Sequence, residues 1–97
     1  MITHIALFRW KDGTTDEQVQ WFADGLDEIV PQIDHVKGYR HGRNVGLTGD
    51  SWDYAVVADF EDEVGHRAYL DHPLHVDVSV NRGKPIAEAS TRAQLRT

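Results

Sequence analysis

The chain of 97 residues contains no cysteine. This absence excludes disulfide bonds, thiolate metal sites, iron–sulfur clusters and catalysis by a cysteine nucleophile. A long apolar run is also missing, because the most apolar early stretch covers only residues 5–8, whereas a membrane-spanning helix needs about 20 residues. We therefore expect neither a membrane span nor a secretory signal peptide, and we expect a cytoplasmic protein.

Basic residues are scarce relative to acidic ones. Ten lysines and arginines stand against sixteen aspartates and glutamates, which gives a formal net charge of −6. A protein that binds nucleic acid needs a cationic surface, so this balance argues against a nucleic-acid partner. The length fits one domain over residues 1–97, and the 40% share of hydrophobic residues is typical of a globular chain. Histidine, by contrast, is abundant, with six residues in the chain.

The alternation of side-chain types predicts four strands. Ile2–Trp10 and Tyr54–Phe60 carry apolar residues on both faces, which is typical of strands that are covered on both sides. Residues 36–45 are predicted as a strand with a bulge at one of its glycines, and residues 86–95 as the last strand. Residues 46–50 are expected to form the loop between the second and third strands.

Three helical segments complete the pattern. Thr14 and Glu17 have the spacing of a capping box, which predicts the start of a helix whose apolar residues recur at spacings of three and four. Residues 61–70 are predicted as a second helix, with acidic residues at its start. Pro73 favours the first position of a short third helix that runs to about residue 81. The order β-α-β-β-α-(short α)-β indicates an α+β, ferredoxin-like fold with a four-stranded antiparallel sheet.

Helices in this arrangement cover only one face of the sheet, although the first and third strands are apolar on both faces. The second face therefore needs another cover, and pairing with a second copy of the chain supplies it. We expect a homodimer joined through the sheet faces, with these residues among the buried contacts: Ile5, Leu7, Ala55 and Val57.

The chain resembles a known family over nearly its whole length. The most specific marker is the pattern Tyr-x-x-His-Pro-x-His at residues 69–75. Further matching segments are residues 2–12, Gly42-Arg43-Asn44 and residues 53–60. On these residues the chain resembles the stress-responsive dimeric α/β-barrel (Dabb) family. Members look like ferredoxin-like protomers that pair into a dimeric α/β barrel, so the resemblance implies the same assembly for this chain.

Within that family, the chain is similar to polyketide cyclases of the olivetolic acid cyclase type, which perform a cofactor-free aldol condensation. Their active-site positions match His4, Tyr69 and His75, and the resemblance implies that these three residues are catalytic. A further active-site histidine of those cyclases, on the third strand, falls at Tyr54 in this sequence. The implied function is a cofactor-free cyclase or lyase that works by general acid–base catalysis.

The predicted strand parity puts His4 on the floor of a cavity between sheet and helices, with Tyr69 and His75 on its roof. The same parity adds three aromatic residues that we expect to bind a small apolar or aromatic substrate: Phe8, Tyr54 and Phe60. His75 is the third residue of the helix that begins at Pro73, where the helix dipole disfavours the imidazolium form. A neutral His75 can act as the general base, while Tyr69 orients the substrate oxygen and His4 binds the carbonyl.

Other interpretations of the same residues stay open. His4 and His75 could instead be hydrogen-bonded core residues of a non-catalytic, stress-responsive dimer that binds an apolar ligand or a protein partner. A monooxygenase is a third candidate, because such enzymes share this barrel architecture. His72 and His75 have the spacing of a metal pair, but no third ligand is evident, and we expect neither a metal nor a cofactor. His66 and His41 are expected to lie at the surface.

Overall fold

The structure is a computed structural model that describes residues 1–49 and 51–97. Its sheet is antiparallel, with the strand order β2-β3-β1-β4. The strands are β1 (Ile2–Trp10), β2 (Val36–Arg43), β3 (Tyr54–Phe60) and β4 (Ala87–Arg96). The inner strand β1 pairs with β3 and β4, so that His4 lies opposite Ala58 on one side and Gln94 on the other. This topology confirms the predicted ferredoxin-like α+β fold.

The second strand contains the predicted bulge, because its register with β3 shifts between Val36 and Gly38. The strand ends two residues earlier than predicted, at Arg43. Asn44 explains this end, since its side-chain oxygen accepts a hydrogen bond from Gly46 N at 2.8 Å and turns the chain. Asp50, the last residue of the predicted loop, lies outside the described residues.

The first helix, α1 (Asp16–Ile29), begins one residue later than the predicted capping box requires. Thr15, not Thr14, is the N-cap: its hydroxyl accepts from Gln18 N at 3.1 Å, and the Gln18 side chain accepts from Thr15 N at 2.9 Å. Thr14 instead donates its hydroxyl to Lys11 O at 2.7 Å and closes the preceding turn. Thr14 and Thr15 both have the spacing of a capping box, and the bond from Thr14 to Lys11 leaves Thr15 as the N-cap.

The remaining helices are α2 (Glu63–Asp71), α3 (Pro73–Val78) and a π-helical segment (Ser79–Gly83). Asp62 caps α2 by accepting from Gly65 N at 2.9 Å, which is why this helix begins two residues later than predicted. His72 is extended (φ −63°, ψ 131°), as a residue before proline should be, and it separates α2 from α3. None of the described helices is long and apolar enough to cross a membrane.

The two faces of the sheet differ in burial. The helix-facing side chains are buried: Ile2, His4, Ala6, Tyr54, Val56, Ala58 and Phe60. All of these except Ile2 and His4 share one core with the apolar stripe of α1, which consists of Val19, Phe22, Ala23, Leu26 and Ile29. The opposite side chains of β1 and β3, here called the outer face, are only half-buried: Ile5, Leu7, Ala55 and Val57. The predicted parity of both strands is correct.

Candidate active site

A cavity of about 340 Å³ lies between the helix-facing side of the sheet and the helices. Much of its wall is apolar, with Phe8 on β1, Phe22 and Leu26 on α1, and Leu70 on α2. Its polar and charged lining residues include His4, Tyr39, Tyr69, His75, Lys84 and Arg92. A cavity of this size and mixed lining matches the sites that bind small organic molecules.

The structure brings four of the six predicted site residues to this one cavity: His4, Phe8, Tyr69 and His75. Tyr54 and Phe60 do not line it. Phe60 is fully buried beneath the ring of Tyr69, with ring centroids 5.2 Å apart. Tyr54 has the predicted parity, but the rings of Trp10 and Phe22 pack against it, with centroids 5.7 Å and 5.9 Å away.

His75 is positioned by a hydrogen bond to the end of α2. Its Nδ1 lies 3.3 Å from the carbonyl oxygen of Leu70. A carbonyl can only accept, so Nδ1 carries the proton and Nε2 keeps its lone pair. Burial lowers the pKa of His75 below its ordinary value of 6.5; the Leu70 hydrogen bond opposes this, and the positive charge of Arg92 adds to it. The ring is therefore neutral, as predicted, but burial rather than the helix dipole is the main cause.

His4 is almost completely buried, at 4% exposed, and its Nδ1 meets two nitrogen atoms. Gln94 Nε2 lies 3.1 Å away and His66 Nε2 lies 3.0 Å away. An amide N–H can only donate, so Nδ1 of His4 accepts from Gln94, and the proton of the neutral His4 ring lies on Nε2. His66 Nε2 then also donates to Nδ1, and the two donors share its one lone pair. Burial lowers the pKa of His4 to about 4, with further contributions from His66, Arg92 and His75.

His66 was expected at the surface, but it is half-buried. Its ring packs beside that of His4, with centroids 4.7 Å apart, and against the edge of Phe60 at 5.4 Å. Burial lowers the pKa of His66, and the charge of Arg67 adds to this. A signal existed in the sequence, because His66 precedes Tyr69 by three residues and therefore shares its face of α2.

Two phenols form a pair in the wall of the cavity. Tyr39 OH and Tyr69 OH are 2.9 Å apart, and the Tyr69 ring centroid is 4.2 Å from that of His75. Burial raises the pKa of Tyr39 and Tyr69 above the usual value, so both stay protonated near neutral pH. Tyr39 was not predicted, since its place depends on how β2 pairs with β3.

A second polar cluster, here called the closed cluster, consists of Asp27, His41 and Tyr54. His41 Nδ1 is 2.6 Å from Tyr54 OH, and His41 Nε2 is 2.6 Å from Asp27 Oδ1. The expectation that His41 is a simple surface residue is wrong, because its side chain is only 11% exposed. Burial raises the pKa of Tyr54, and the nearby carboxylate of Asp27 adds to this.

One of the two histidines with metal-ligand spacing, His72, has a local structural role. His72 Nδ1 accepts a hydrogen bond from Leu74 N at 3.1 Å and caps α3. Over residues 1–49 and 51–97, no group of three or more His, Asp or Glu side chains has the arrangement of a metal site.

A family model described as the stress responsive A/B barrel domain matches residues 2–94. The chain belongs to this family. The match covers nearly the whole chain and confirms the resemblance carried by the Tyr-x-x-His-Pro-x-His pattern. Among curated A/B barrel proteins, a stress-response A/B barrel domain-containing protein of Arabidopsis thaliana is 29% identical over 79 residues, which are 78% of this chain and 68% of that protein.

Solved structures of other proteins share the fold closely. A protein of unknown function from Thermobifida fusca, described as dimeric and ferredoxin-like, is 38% identical with a TM-score of 0.90, over 99% of this chain and 90% of that one. A hydroxynitrile lyase from Passiflora edulis has a TM-score of 0.84 at 14% identity, over 97% of this chain and 90% of that one. At that identity the similarity to the lyase shows a common fold only.

Proposed function

We propose that this A/B barrel protein is a cofactor-free enzyme that performs general acid–base catalysis on a small carbonyl compound, of the cyclase or lyase type. The proposal rests on one observation: the two cavity histidines differ in which ring nitrogen holds the proton. His75 presents a bare Nε2 because its Nδ1 donates to Leu70 O. His4 presents an Nε2 proton because its Nδ1 accepts from Gln94. One ring can take a proton while the other donates a hydrogen bond to an oxygen.

The proposed reaction begins when His75 Nε2 removes a proton from a carbon next to a carbonyl group. Negative charge then moves onto the carbonyl oxygen, where the Nε2 proton of His4 forms a hydrogen bond to it. In a cyclase the resulting carbanion forms a bond to a second carbonyl carbon, and the oxygen of that carbonyl takes the proton back from His75. In a lyase His75 takes the proton of a hydroxyl group, the adjacent carbon–carbon bond breaks as a carbonyl forms, and the departing carbanion takes the proton back from His75.

The Tyr39–Tyr69 pair supports this chemistry by orienting the substrate. Both hydroxyls stay protonated, so the pair offers a hydrogen bond to a substrate oxygen without adding a negative charge. The ring of Tyr69 also lies against His75 and limits the rotation of the imidazole. Catalysis by positioned side chains of this kind needs no metal and no organic cofactor.

The proposal is tested by turnover assays with one substrate for each direction of the reaction. The purified protein is incubated with an aromatic cyanohydrin, whose cleavage releases an aldehyde and hydrogen cyanide, and with a linear polyketide thioester, whose cyclisation with loss of water gives an aromatic ring. We expect one of these classes to react with the wild type and to react at least about 100-fold more slowly with His75→Ala. Absence of turnover with both classes, or equal turnover by His75→Ala, would contradict the enzyme proposal.

A non-catalytic ligand carrier is the second candidate, and the apolar share of the cavity wall favours it. Phe8, Phe22 and Leu26 would hold an apolar body equally well if no reaction followed. The two functions differ in one measurement, because a carrier releases its ligand chemically unchanged. Mass spectrometry of a bound small molecule before and after incubation separates them.

We propose in addition that the protein works as a homodimer joined through the outer face of the sheet. The half-buried Ile5, Leu7, Ala55 and Val57 form a continuous apolar surface across β1 and β3. The related protein from Thermobifida fusca is described as dimeric. A standard interface removes about 1,600 Å² of surface from water in total, and the outer face would form the apolar centre of such an interface.

Val57→Lys tests this interface, because a lysine ammonium cannot be buried cheaply against an apolar partner. We expect light scattering to give a dimer for the wild type, and a monomer or insoluble protein for Val57→Lys. The exposed Val64→Lys on α2 is the matched control and should stay dimeric. A wild-type mass near 11.0 kDa at micromolar concentration would contradict the dimer.

A further inference from the structure

Arg92 is a cation at the edge of the cavity. It lies on β4 opposite Ala6 of β1, on the helix-facing side of the sheet, and its side chain is exposed. The central carbon of its guanidinium group is 5.6 Å from the centroid of the Phe8 ring, which forms part of the cavity wall. Its Nη1 donates to Ser90 Oγ at 2.8 Å, a bond that holds the guanidinium beside the cavity.

The guanidinium of Arg92 differs from those of three other arginines in its partners. Arg43, Arg82 and Arg96 form ion pairs with Asp16, Glu28 and Glu63 respectively. Within residues 1–49 and 51–97, no carboxylate lies within 4.0 Å of Arg92. The planar fork of this guanidinium is therefore free to bind a carboxylate that comes from outside the chain.

The charge of the cavity lining also favours the binding of a carboxylate. Lys84 and Arg92 are among its lining residues. Among residues 1–49 and 51–97 no aspartate or glutamate lines it, although acidic residues outnumber basic ones sixteen to ten in the whole chain. Arg92 is close enough to the histidines that its charge contributes to the lowered pKa of both His4 and His75. A cationic cavity in an acidic protein selects an anion, because such a charge attracts the ligand that neutralises it.

We propose that the substrate is a small carboxylic acid with an apolar body, and that Arg92 binds its carboxylate at the mouth of the cavity. The inference rests on the proposed function, since it names the substrate class of the same acid–base site. The apolar body would lie along Phe8, Phe22 and Leu26, while a carbonyl group of the substrate reaches His4 and His75. A bidentate contact to the guanidinium would fix the direction in which the molecule enters.

The test is an NMR titration of the full chain with benzoate and with its uncharged analogue benzamide. We expect the wild type to bind benzoate at least about tenfold more tightly than benzamide. Arg92→Gln should remove this preference, and its binding of benzamide should not change. Arg96→Gln is the matched control, because Arg96 lies on the same side of β4 and is occupied by Glu63, and it should keep the preference.

The carboxylate assignment is overturned if benzamide binds as tightly as benzoate, if neither binds, or if Arg92→Gln weakens both equally. The titration involves no turnover, so a failure of acid–base catalysis would leave the preference for benzoate in place. Loss of the preference in a protein that still converts a neutral carbonyl compound would refute the carboxylate assignment alone. Higher ionic strength should weaken the binding of benzoate and leave that of benzamide constant.

Discussion

Two clusters of histidine and tyrosine lie on the same face of the sheet, and they differ in which atoms are already bonded. In the closed cluster, both ring nitrogens of His41 have protein partners, Tyr54 and Asp27. In the cavity, His4 and His75 each bond the protein through Nδ1 alone. Their Nε2 atoms form no hydrogen bond with any residue in the described ranges 1–49 and 51–97.

This difference shows that residue type is a weaker guide to a site than unused hydrogen-bonding capacity. A histidine whose two nitrogens are bonded within the protein is held in place and cannot accept a substrate proton without breaking a bond. A histidine with one nitrogen bonded is oriented by that bond and keeps the other for chemistry. The cavity histidines are of the second kind, and His41 is of the first.

The largest expected effect comes from deleting one histidine in each cluster. We expect His75→Ala to lower turnover per folded protein by about 10²- to 10⁴-fold, because it removes the proposed general base. His41→Ala should instead lower the free energy of unfolding by about 1–3 kcal/mol, because it leaves Tyr54 and Asp27 without their partner, with turnover per folded protein unchanged. Parallel assays of turnover and urea unfolding on both variants check this. If the two variants exchanged these effects, the distinction between the clusters would be wrong.

The next largest effect concerns pH: burial of His4 should make the free energy of unfolding fall as the solution becomes acidic. Its pKa is about 4 in the folded protein and about 6.5 in the unfolded chain. Between these values only the unfolded chain holds the proton, so His4 contributes stability above pH 6.5 that is lost as the pH falls toward 4. We expect about 2–3 kcal/mol of the unfolding free energy to disappear between pH 7 and pH 4.5 through this residue.

Urea unfolding at the two pH values measures this loss, and His4→Gln should show a correspondingly smaller difference between them. His35→Gln, which changes an exposed histidine, is the control and should behave as the wild type does. An identical pH dependence in His4→Gln and wild type would mean that His4 is not held neutral by its burial.

The smallest expected effect is on the free energy of unfolding, when one tyrosine hydroxyl is removed from each cluster. Tyr54→Phe leaves His41 Nδ1 without a partner in a packed region, so we expect a loss of about 1–2 kcal/mol in unfolding free energy. Tyr39→Phe removes the bond to Tyr69 OH, but that hydroxyl borders the cavity and can bind water, so the loss should be about 0.5–1 kcal/mol. Urea midpoints of the two variants test the order. A larger loss for Tyr39→Phe would show that its pair with Tyr69 is the more tightly enclosed of the two.

Much of the fold could be predicted because its signals are local. The spans of β1 and β3 follow from alternating apolar residues, and the restart at His72 and Pro73 follows from proline geometry. The capping residue of α1 could not be chosen, because Thr14 and Thr15 each precede an acceptable partner by three residues. Only the bond from Thr14 to Lys11 O, which depends on the turn, decides between them.

The residues that line the cavity were predictable where one motif or one strand parity indicated them, as for His4, Tyr69 and His75. Tyr39 and His66 were missed because their contacts join elements far apart in the chain, 30 and 62 residues from their partners. Tyr54 has the predicted parity but lies behind aromatic rings that come from β1 and α1. Parity fixes a face of the sheet, whereas the position on that face depends on packing between distant elements.

The pairing of β1 with β4 has a consequence for folding and for local opening. This pairing joins Ile2 to Arg96, so the cavity floor closes a loop of nearly the whole chain, and such long-range contacts form late. β4 is also an edge strand whose residues from Ser90 onward are all exposed, which is typical of segments that open without global unfolding. Each such opening would remove Gln94 from His4 and Arg92 from the cavity at once. A ligand that contacts both β4 and the helices therefore stabilises β4 against local opening. Its binding should slow amide hydrogen exchange along β4 more than elsewhere in the sheet.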